Sequence, residues 1–484
     1  MRGMRDQTAL RFLDGLKFGP MHRRVWWLSA MGIMLDGFDF FIIGVAVPLI
    51  TVHWGITPFE TGLLTSAAVL GAIVGAAVMG PLSDRIGRKL AFRIDLGMFV
   101  VFALASAFAP DIWWLIAFRF LLGIGIGADY PIAASYVAEI SPNRLRPRLL
   151  IGAFSFQAIG QLLGALVGLA VLMLDPHPEA WRWMLAVGVV PALIIVIMRR
   201  GVPESPIWLA SQAKYLEAAD ALSKFAGRAV KVSEIHDTSP SEGHAVLVPS
   251  TGKLPTANRA TLFSKRYRRA TVLTGVPWFL MDIATYGVGV FTPTILAALA
   301  LSSTANTQYI ADDIVATEGA AVLDIFLIIG FAAAIILVRK LGLVVMQSVG
   351  FFVMAGALVV LGATELMQQS PIQLAIIFLA FAAFNLFMNA GPNSTTFAMP
   401  TAVFPAEVRG AGAGFAAAAG KAGAAVGTFF FPQLQAEIGL FGTLSIIAAG
   451  CVVAGVVTIL LRRLVTPAGA SPDARDDAAA VPVG

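Results

Sequence analysis

Long apolar runs recur along almost the whole chain, each near the roughly 20 residues that an α-helix needs to cross about 30 Å of hydrocarbon. They fall at 25–52, 59–81, 90–109, 112–139, 149–174, 181–198, 270–298, 319–339, 343–363, 371–398, 410–436 and 438–462. Within a bilayer each backbone N–H and C=O must find its partner inside its own segment, so runs of this length predict helices. The composition agrees, with 58% hydrophobic and only 13% charged residues. An all-α membrane protein with twelve transmembrane helices, six and six, is therefore expected.

Sidedness follows from the basic residues, because Lys and Arg accumulate in cytoplasmic loops. Of the 34 Lys and Arg residues, Arg182 alone falls on the far side and Arg119 and Lys421 fall well inside spans, which leaves 31 in the termini, the even-numbered loops or the helix ends beside them. Both termini are thus expected in the cytoplasm of a plasma (inner) membrane protein, and the net charge of +5 is a membrane-sidedness signal rather than a nucleic-acid patch. The organisation read from the sequence is a cytoplasmic segment at 1–24, a six-helix bundle at 25–198, a cytoplasmic linker at 199–269, a second bundle at 270–462 and a disordered tail at 463–484. Residues 1–24 lack the apolar core of a removable signal, so the first span directs insertion. In the linker, Ser211–Phe225 has helical periodicity and predicts an amphipathic helix at the membrane surface, whereas Ser239–Thr256 reads as disordered. The lone cysteine, Cys451, reads as a packing residue. Two six-helix halves joined by a long loop are the layout of carriers that rock about a central site.

Several motifs carry chemistry. The loop after the second span reads GPLSDRIGRKL, with Gly80, Asp84, Arg85, Gly87, Arg88 and Lys89; its glycines permit a tight turn and its charges lock helix ends across a gate. The matching loop of the second half is reduced to Arg339, Lys340, Leu341 and Gly342, which predicts an asymmetric gate. After the sixth span comes PESPIWL, Pro203 to Leu209. The fourth span contains GIGIGADY, where Gly123, Gly125 and Gly127 allow close packing while Asp129 and Tyr130 enter the bilayer. In the seventh, Trp278, Asp282 and Tyr286 are spaced to share one helix face. The fifth carries FSFQ ending at Gln157, the tenth NAGPNSTTF with Asn393, and the eleventh GKAGA with Lys421.

The GPLSDRIGRKL loop resembles the signature of the major facilitator superfamily, and PESPIWL resembles the PESPRWL element of sugar porters, with Ile207 replacing the basic residue. Taken with FSFQ, the motifs of the fourth, seventh, tenth and eleventh helices resemble the phosphate:proton symporter family of that superfamily. The resemblance implies two pseudo-symmetric six-helix bundles and no cofactor. It also implies a central phosphate site made by Tyr130, Gln157, Trp278, Asp282, Tyr286, Asn393 and Lys421. Two departures point elsewhere. Thr285 stands where that family has an aromatic, and LDGFDFF in the first helix also resembles the DGFD element of aromatic-acid:proton symporters.

Read without the resemblance, each ionisable group at bilayer depth is a functional candidate, since its charge is costly there unless paired or wetted. Asp36 and Asp39 lie three apart and face one way, and with Asp129, Asp282, Arg119 and Lys421 they are expected to converge on the central cavity. Burial disfavours a charged carboxylate and a nearby cation restores it, so Asp36 or Asp39, with Arg119 beside it and Asp129 further along, reads as a proton route. A static ion pair between Arg119 and Asp39 is the alternative. Lys421 supplies positive charge for an anion, while Tyr130, Gln157, Trp278, Tyr286 and Asn393 supply hydrogen-bond donors. Asp282 has the wrong sign unless it is protonated or the ligand keeps P–OH donors of its own. Asp95 and Asp324 read as interfacial, Asp95 as a partner of Arg93 or Arg88, and His22 and His53 as surface residues.

The reading that results is a proton-driven importer of inorganic phosphate, acting by alternating access as a monomer, with protons and the lipid bilayer as its other partners. A symporter of a sugar or an organic or aromatic acid is the alternative, although the paired Gln residues that sugar porters place on the seventh helix are missing. A transport-like receptor would need a larger cytoplasmic domain than this linker. No metal-ligand cluster, nucleophile elbow or P-loop appears, which argues against an enzyme.

Overall fold

A computed structural model describes residues 16–142, 145–235, 262–300, 309–404 and 406–465. Among these residues every regular element is a helix. The first half holds α1 (Pro20–Trp54), α2 (Pro58–Ile86), α3 (Arg88–Ala107), α4 (Ile112–Ile140), α5 (Arg146–Phe154 continued by Phe156–Leu174) and α6 (Trp181–Val187 continued by Val189–Arg199). In the second half, α7 runs over Arg268–Val290 and, after a 61° bend, Thr292–Ala300. Helices α8 and α9 share Tyr309–Ala363 and part at Gly342, α10 is Pro371–Ala390 continued by Pro392–Val403, and α11 and α12 share Ala406–Leu460 and part at Gly439. Counted in this way, the described residues hold the twelve helices of two six-helix bundles.

Local chemistry sets where the helices start. Thr57 caps α2 and is capped in return by Glu60, whose carboxylate accepts the Thr57 amide at 2.8 Å. Asp111 accepts the amides of Trp113 and Trp114 at the head of α4, and Ser370 caps α10. Between the helix ends, exposed side chains such as Val101, Leu104, Leu166, Ile325, Ile336 and Val453 cover the outside. So much uncovered apolar surface suits hydrocarbon and not water. Trp113, Trp114 and Trp183 are exposed at the ends away from the termini, at the level where amphipathic rings favour an interface.

The glycines expected to admit a neighbour do so. A Cβ at Gly123 or Gly127 would overlap the backbone of Ala68 or Ala72 on α2. The turn at Gly87 (φ 93°, ψ 161°) recurs at Gly342 (φ 76°, ψ 164°), so the second half keeps the backbone of the gate loop while losing most of its side chains.

In the linker, the helix expected from Ser211 begins at Tyr215, because Ala213 takes a left-handed φ of 62° and separates Pro206–Ser211 from Tyr215–Ala226. Its buried face, Ala218, Leu222 and Phe225, packs on Leu209 and Ala210 rather than only on lipid. Phe225 also meets the ring of His22 at 5.0 Å. His22 is consequently 0% exposed, which corrects its reading as a surface residue: the linker covers it. The disorder expected for Ser239–Thr256 and for most of the tail after Arg463 falls outside the described residues.

Candidate functional site

Helices from both halves meet at the Tyr286 hydroxyl. Gln157 Nε2 of α5 donates to it at 3.1 Å and Lys421 Nζ of α11 at 3.3 Å. Helix α5 comes this near to α1 because Gly37, in the LDGFDFF element, presents no side chain to the Gln157 carbonyl. Lys421 also lies over the rings of Tyr286, at 5.2 Å, and Phe40, at 5.6 Å. Asp282, one turn before Tyr286 on α7, is buried with Lys421 as its charged neighbour. One turn earlier again, Trp278 packs on Phe397 of α10 at 5.5 Å, and Phe397 meets Phe154 of α5 at 4.3 Å.

The two halves touch on the side away from the termini. There Thr65 Oγ1 of α2 donates to the Thr428 carbonyl of α11 at 3.1 Å, Phe59 meets Phe429 at 5.7 Å, and Gly44 of α1 abuts the Val290 carbonyl of α7. Trp278 stands one turn nearer than Asp282 to the start of α7, and its ring, with Phe397 and Phe154, forms an aromatic layer drawn from both halves.

The acids of the first half divide between two buried guanidinium pairs, with Asp36 a neighbour of both. Asp39 of α1 pairs with Arg119 of α4 at 2.5 Å, both buried inside the first bundle. Asp36, three residues earlier, has Asp129, Lys421, Asp39 and Arg199 as its charged neighbours. Asp129 of α4 is paired with Arg199 of α6 at 3.3 Å, and Arg199 also donates to the Leu28 carbonyl at 2.8 Å. Asp95 of α3 is 2% exposed and lies within hydrogen-bond reach of Asp129, which corrects its reading as an interfacial partner of Arg93 or Arg88. Asp324 is likewise buried, at 3% exposed, on α8. Arg199 is the residue that sequence reasoning missed: it closes the apolar run of α6 and so reads as the first linker residue, but its guanidinium turns back into the bundle.

The gate loop is locked by side chains. Arg88 bridges Asp84 at 2.6 Å and Glu139 of α4 at 2.7 Å. Glu204 of PESPIWL accepts the amides of Arg88 at 2.9 Å and Lys89 at 3.1 Å, placing an anion on the first turn of α3, where helix dipole and free N–H groups favour one. Burial holds the Glu204 carboxyl above its usual range, against the lowering effect of those amides and of Arg88. Trp208 Nε1 donates to the Asp84 carbonyl at 2.8 Å, so PESPIWL is docked on the gate loop itself. Arg85 is exposed and Lys89 half-buried.

Of the substrate residues expected from the sequence, the structure brings Gln157, Tyr286 and Lys421 into contact and sets Asp282 and Trp278 beside them. Asn393 donates to Asn389 Oδ1 at 2.6 Å, a bond within its own helix. The Tyr130 side chain is not among those the structure describes. Among the proton-route residues, Asp36 neighbours both Asp129 and Asp39, and Asp39 is held by Arg119. Arg119→Gln leaves Asp39 buried beside a neutral partner and is expected to cost about 3–5 kcal/mol, the usual penalty for breaking a buried pair. Thermal unfolding in detergent, compared with Asp39→Leu/Arg119→Met, checks this: the double apolar variant is expected to recover most of the loss.

The chain matches the model of the family described as "Sugar (and other) transporter" over residues 25–465. It is 31% identical to the inner membrane metabolite transport protein YgcS of Escherichia coli, over 93% of either chain. It is 28% identical to the niacin transporter NiaP of Acinetobacter baylyi, covering 85% of this chain and 87% of that one. With inorganic phosphate transporter 1-2 of Oryza sativa subsp. japonica the identity is 29%, covering 87% of this chain and 85% of that one. Among solved structures, the inward open conformation of the xylose transporter XylE from E. coli has a TM-score of 0.73 at 19% identity, covering 94% of this chain and 99% of that one, a likeness of fold.

Proposed function

The chain belongs to the sugar (and other) transporter family, whose members are integral membrane carriers and not enzymes, and we propose that it imports inorganic phosphate together with protons by alternating access. The observation that carries this reading is the meeting of Lys421, Tyr286 and Gln157, a cation and two neutral hydrogen-bonding groups contributed by both halves. A monovalent oxyanion offers acceptors to Lys421 and Gln157 and a P–OH donor to Asp282, which gives the acid beside the cation a use. Because the site is built from both bundles, rocking them apart on one side or the other exposes it to each face in turn.

Proton coupling is proposed to run through Asp36, whose neighbours are Lys421 on one side and the group of Asp129, Asp95 and Arg199 on the other. Protonation of Asp36 changes the field at Lys421, so proton and anion affinities are linked reciprocally. The distribution of basic residues supports a plasma (inner) membrane location with both termini in the cytoplasm.

A second reading rests on the aromatic layer. Trp278, Phe397 and Phe154 beside Lys421 suit a planar aromatic acid, its carboxylate on the cation and its ring between theirs. The deciding experiment is uptake into proteoliposomes under an imposed pH gradient, inside alkaline. Labelled phosphate is expected to accumulate and to stop doing so when a protonophore is added, with little competition from equimolar xylose or a pyridine carboxylate. If the pyridine carboxylate accumulates and phosphate does not, the second reading replaces the first.

A further inference from the structure

At the end of the first bundle that carries the N-terminus, α1, α3, α4 and α6 enclose a cavity of ≈ 410 Å³, apart from the Lys421 cluster. Its walls include Leu28, Phe92 and Leu96, and four cations line it: Lys89 and Arg93 of α3, Arg199 at the end of α6, and Arg200 just beyond. Four positive charges around one apolar cavity repel one another unless an anion joins them. Arg199 has Asp129 as a partner. Glu204, the nearby acid, is engaged by the backbone amides of Arg88 and Lys89. Among the described residues no carboxylate forms an ion pair with Lys89, Arg93 or Arg200.

The surroundings choose the kind of anion. Beside the cavity the outer surfaces of α3 and α6 are apolar: Leu90 is 45% and Ile94 38% exposed, Ile197 60% and Met198 44%. Lys89 is the second residue of α3 and Arg200 follows the last residue of α6, so these two cations stand where the helices leave the hydrocarbon, with Arg93 one turn further along α3. The cavity therefore offers charge at headgroup level and greasy surface directly beneath. A free phosphate ion would use the charge and leave the apolar surface unused. We propose that this cavity is a binding site for an anionic phospholipid of the leaflet on the side of the termini, its phosphodiester held by Lys89, Arg93 and Arg200 and one acyl chain lying along Leu90, Ile94 and Ile197.

Native mass spectrometry of the full-length protein in detergent, titrated with phosphatidylglycerol or phosphatidylcholine of the same chains, tests this. One phosphatidylglycerol is expected to bind at least ten-fold more tightly than phosphatidylcholine. Arg93→Gln/Arg200→Gln is expected to erase that preference, and Arg93→Lys/Arg200→Lys to keep it within about three-fold, as recognition of an anionic headgroup by charge requires. Equal binding of the two lipids by the wild type overturns the proposal without reference to any variant. Displacement of phosphatidylglycerol by about 10 mM inorganic phosphate overturns it in favour of a free-anion site.

Discussion

Lys421→Ala is expected to insert and fold yet to take up substrate roughly 10²–10³-fold more slowly than the wild type. The reason is electrostatic. Lys421 is a buried cation with Asp282 and Asp36 as its charged neighbours, and its Nζ donates to the Tyr286 hydroxyl at 3.3 Å in a setting where water contributes little screening. Truncating one partner of a buried charge-assisted contact costs about 2–5 kcal/mol, and an anionic ligand loses its counter-charge at the same time. Asp282 then becomes the nearest charge and opposes the anion. Tyr286→Phe keeps Lys421 and removes the oxygen that Gln157 and Lys421 both address, so a smaller loss of roughly 5–30-fold is expected. Binding and uptake measured on purified, monodisperse protein check both. Wild-type affinity for phosphate in Lys421→Ala would remove the ammonium from the site and with it the oxyanion reading.

Asp36→Asn is expected to abolish uphill accumulation while leaving exchange of substrate across the membrane within about three-fold. One pH unit is worth about 1.4 kcal/mol, which supports about ten-fold accumulation for each proton carried. The wild type should approach that ratio and Asp36→Asn should stay near unity. The position of Asp36 makes it the residue to choose: it is 2% exposed and has charged neighbours in both halves, Lys421 of α11 as well as Asp129 and Arg199. Asp39 has its own guanidinium and lies off this line. Asp95→Asn, next to Asp129, is expected to slow coupled uptake without abolishing exchange. Accumulation at the wild-type ratio in Asp36→Asn would exclude this carboxyl as the coupling group.

What was legible in the chain depended on which dimension of the structure a residue reports. Depth is one-dimensional. An apolar run of given length, a Trp pair at its end and a basic residue in the next loop can all be read along the sequence, and they were enough for the helix count and the membrane class. The turn at Gly87 and the small face of Gly123 and Gly127 were equally local, because a missing Cβ has the same consequence wherever the residue sits. The spacing of Trp278, Asp282 and Tyr286 put them on one face of α7 but could not say what that face meets.

Rotation about the helix axis is another matter. A helix that is apolar all round carries no stripe to fix which side turns inward. Asp95, near the start of α3, therefore read as interfacial when it faces Asp129, and Arg199 read as linker when it turns back to the same carboxylate. His22 failed for a related reason: Phe225, which covers it, lies some 200 residues later in the chain, as the contact between their rings makes plain. The order of residues along the chain was enough to place this protein in a bilayer, to count its crossings and to name most of the polar residues that go down with it. Only the packed bundles decided that Asp39 belongs to Arg119, that Asp36 looks towards Lys421, and that Gln157 and Tyr286 touch. Those pairings depend on contacts between distant segments, and no local pattern encodes them.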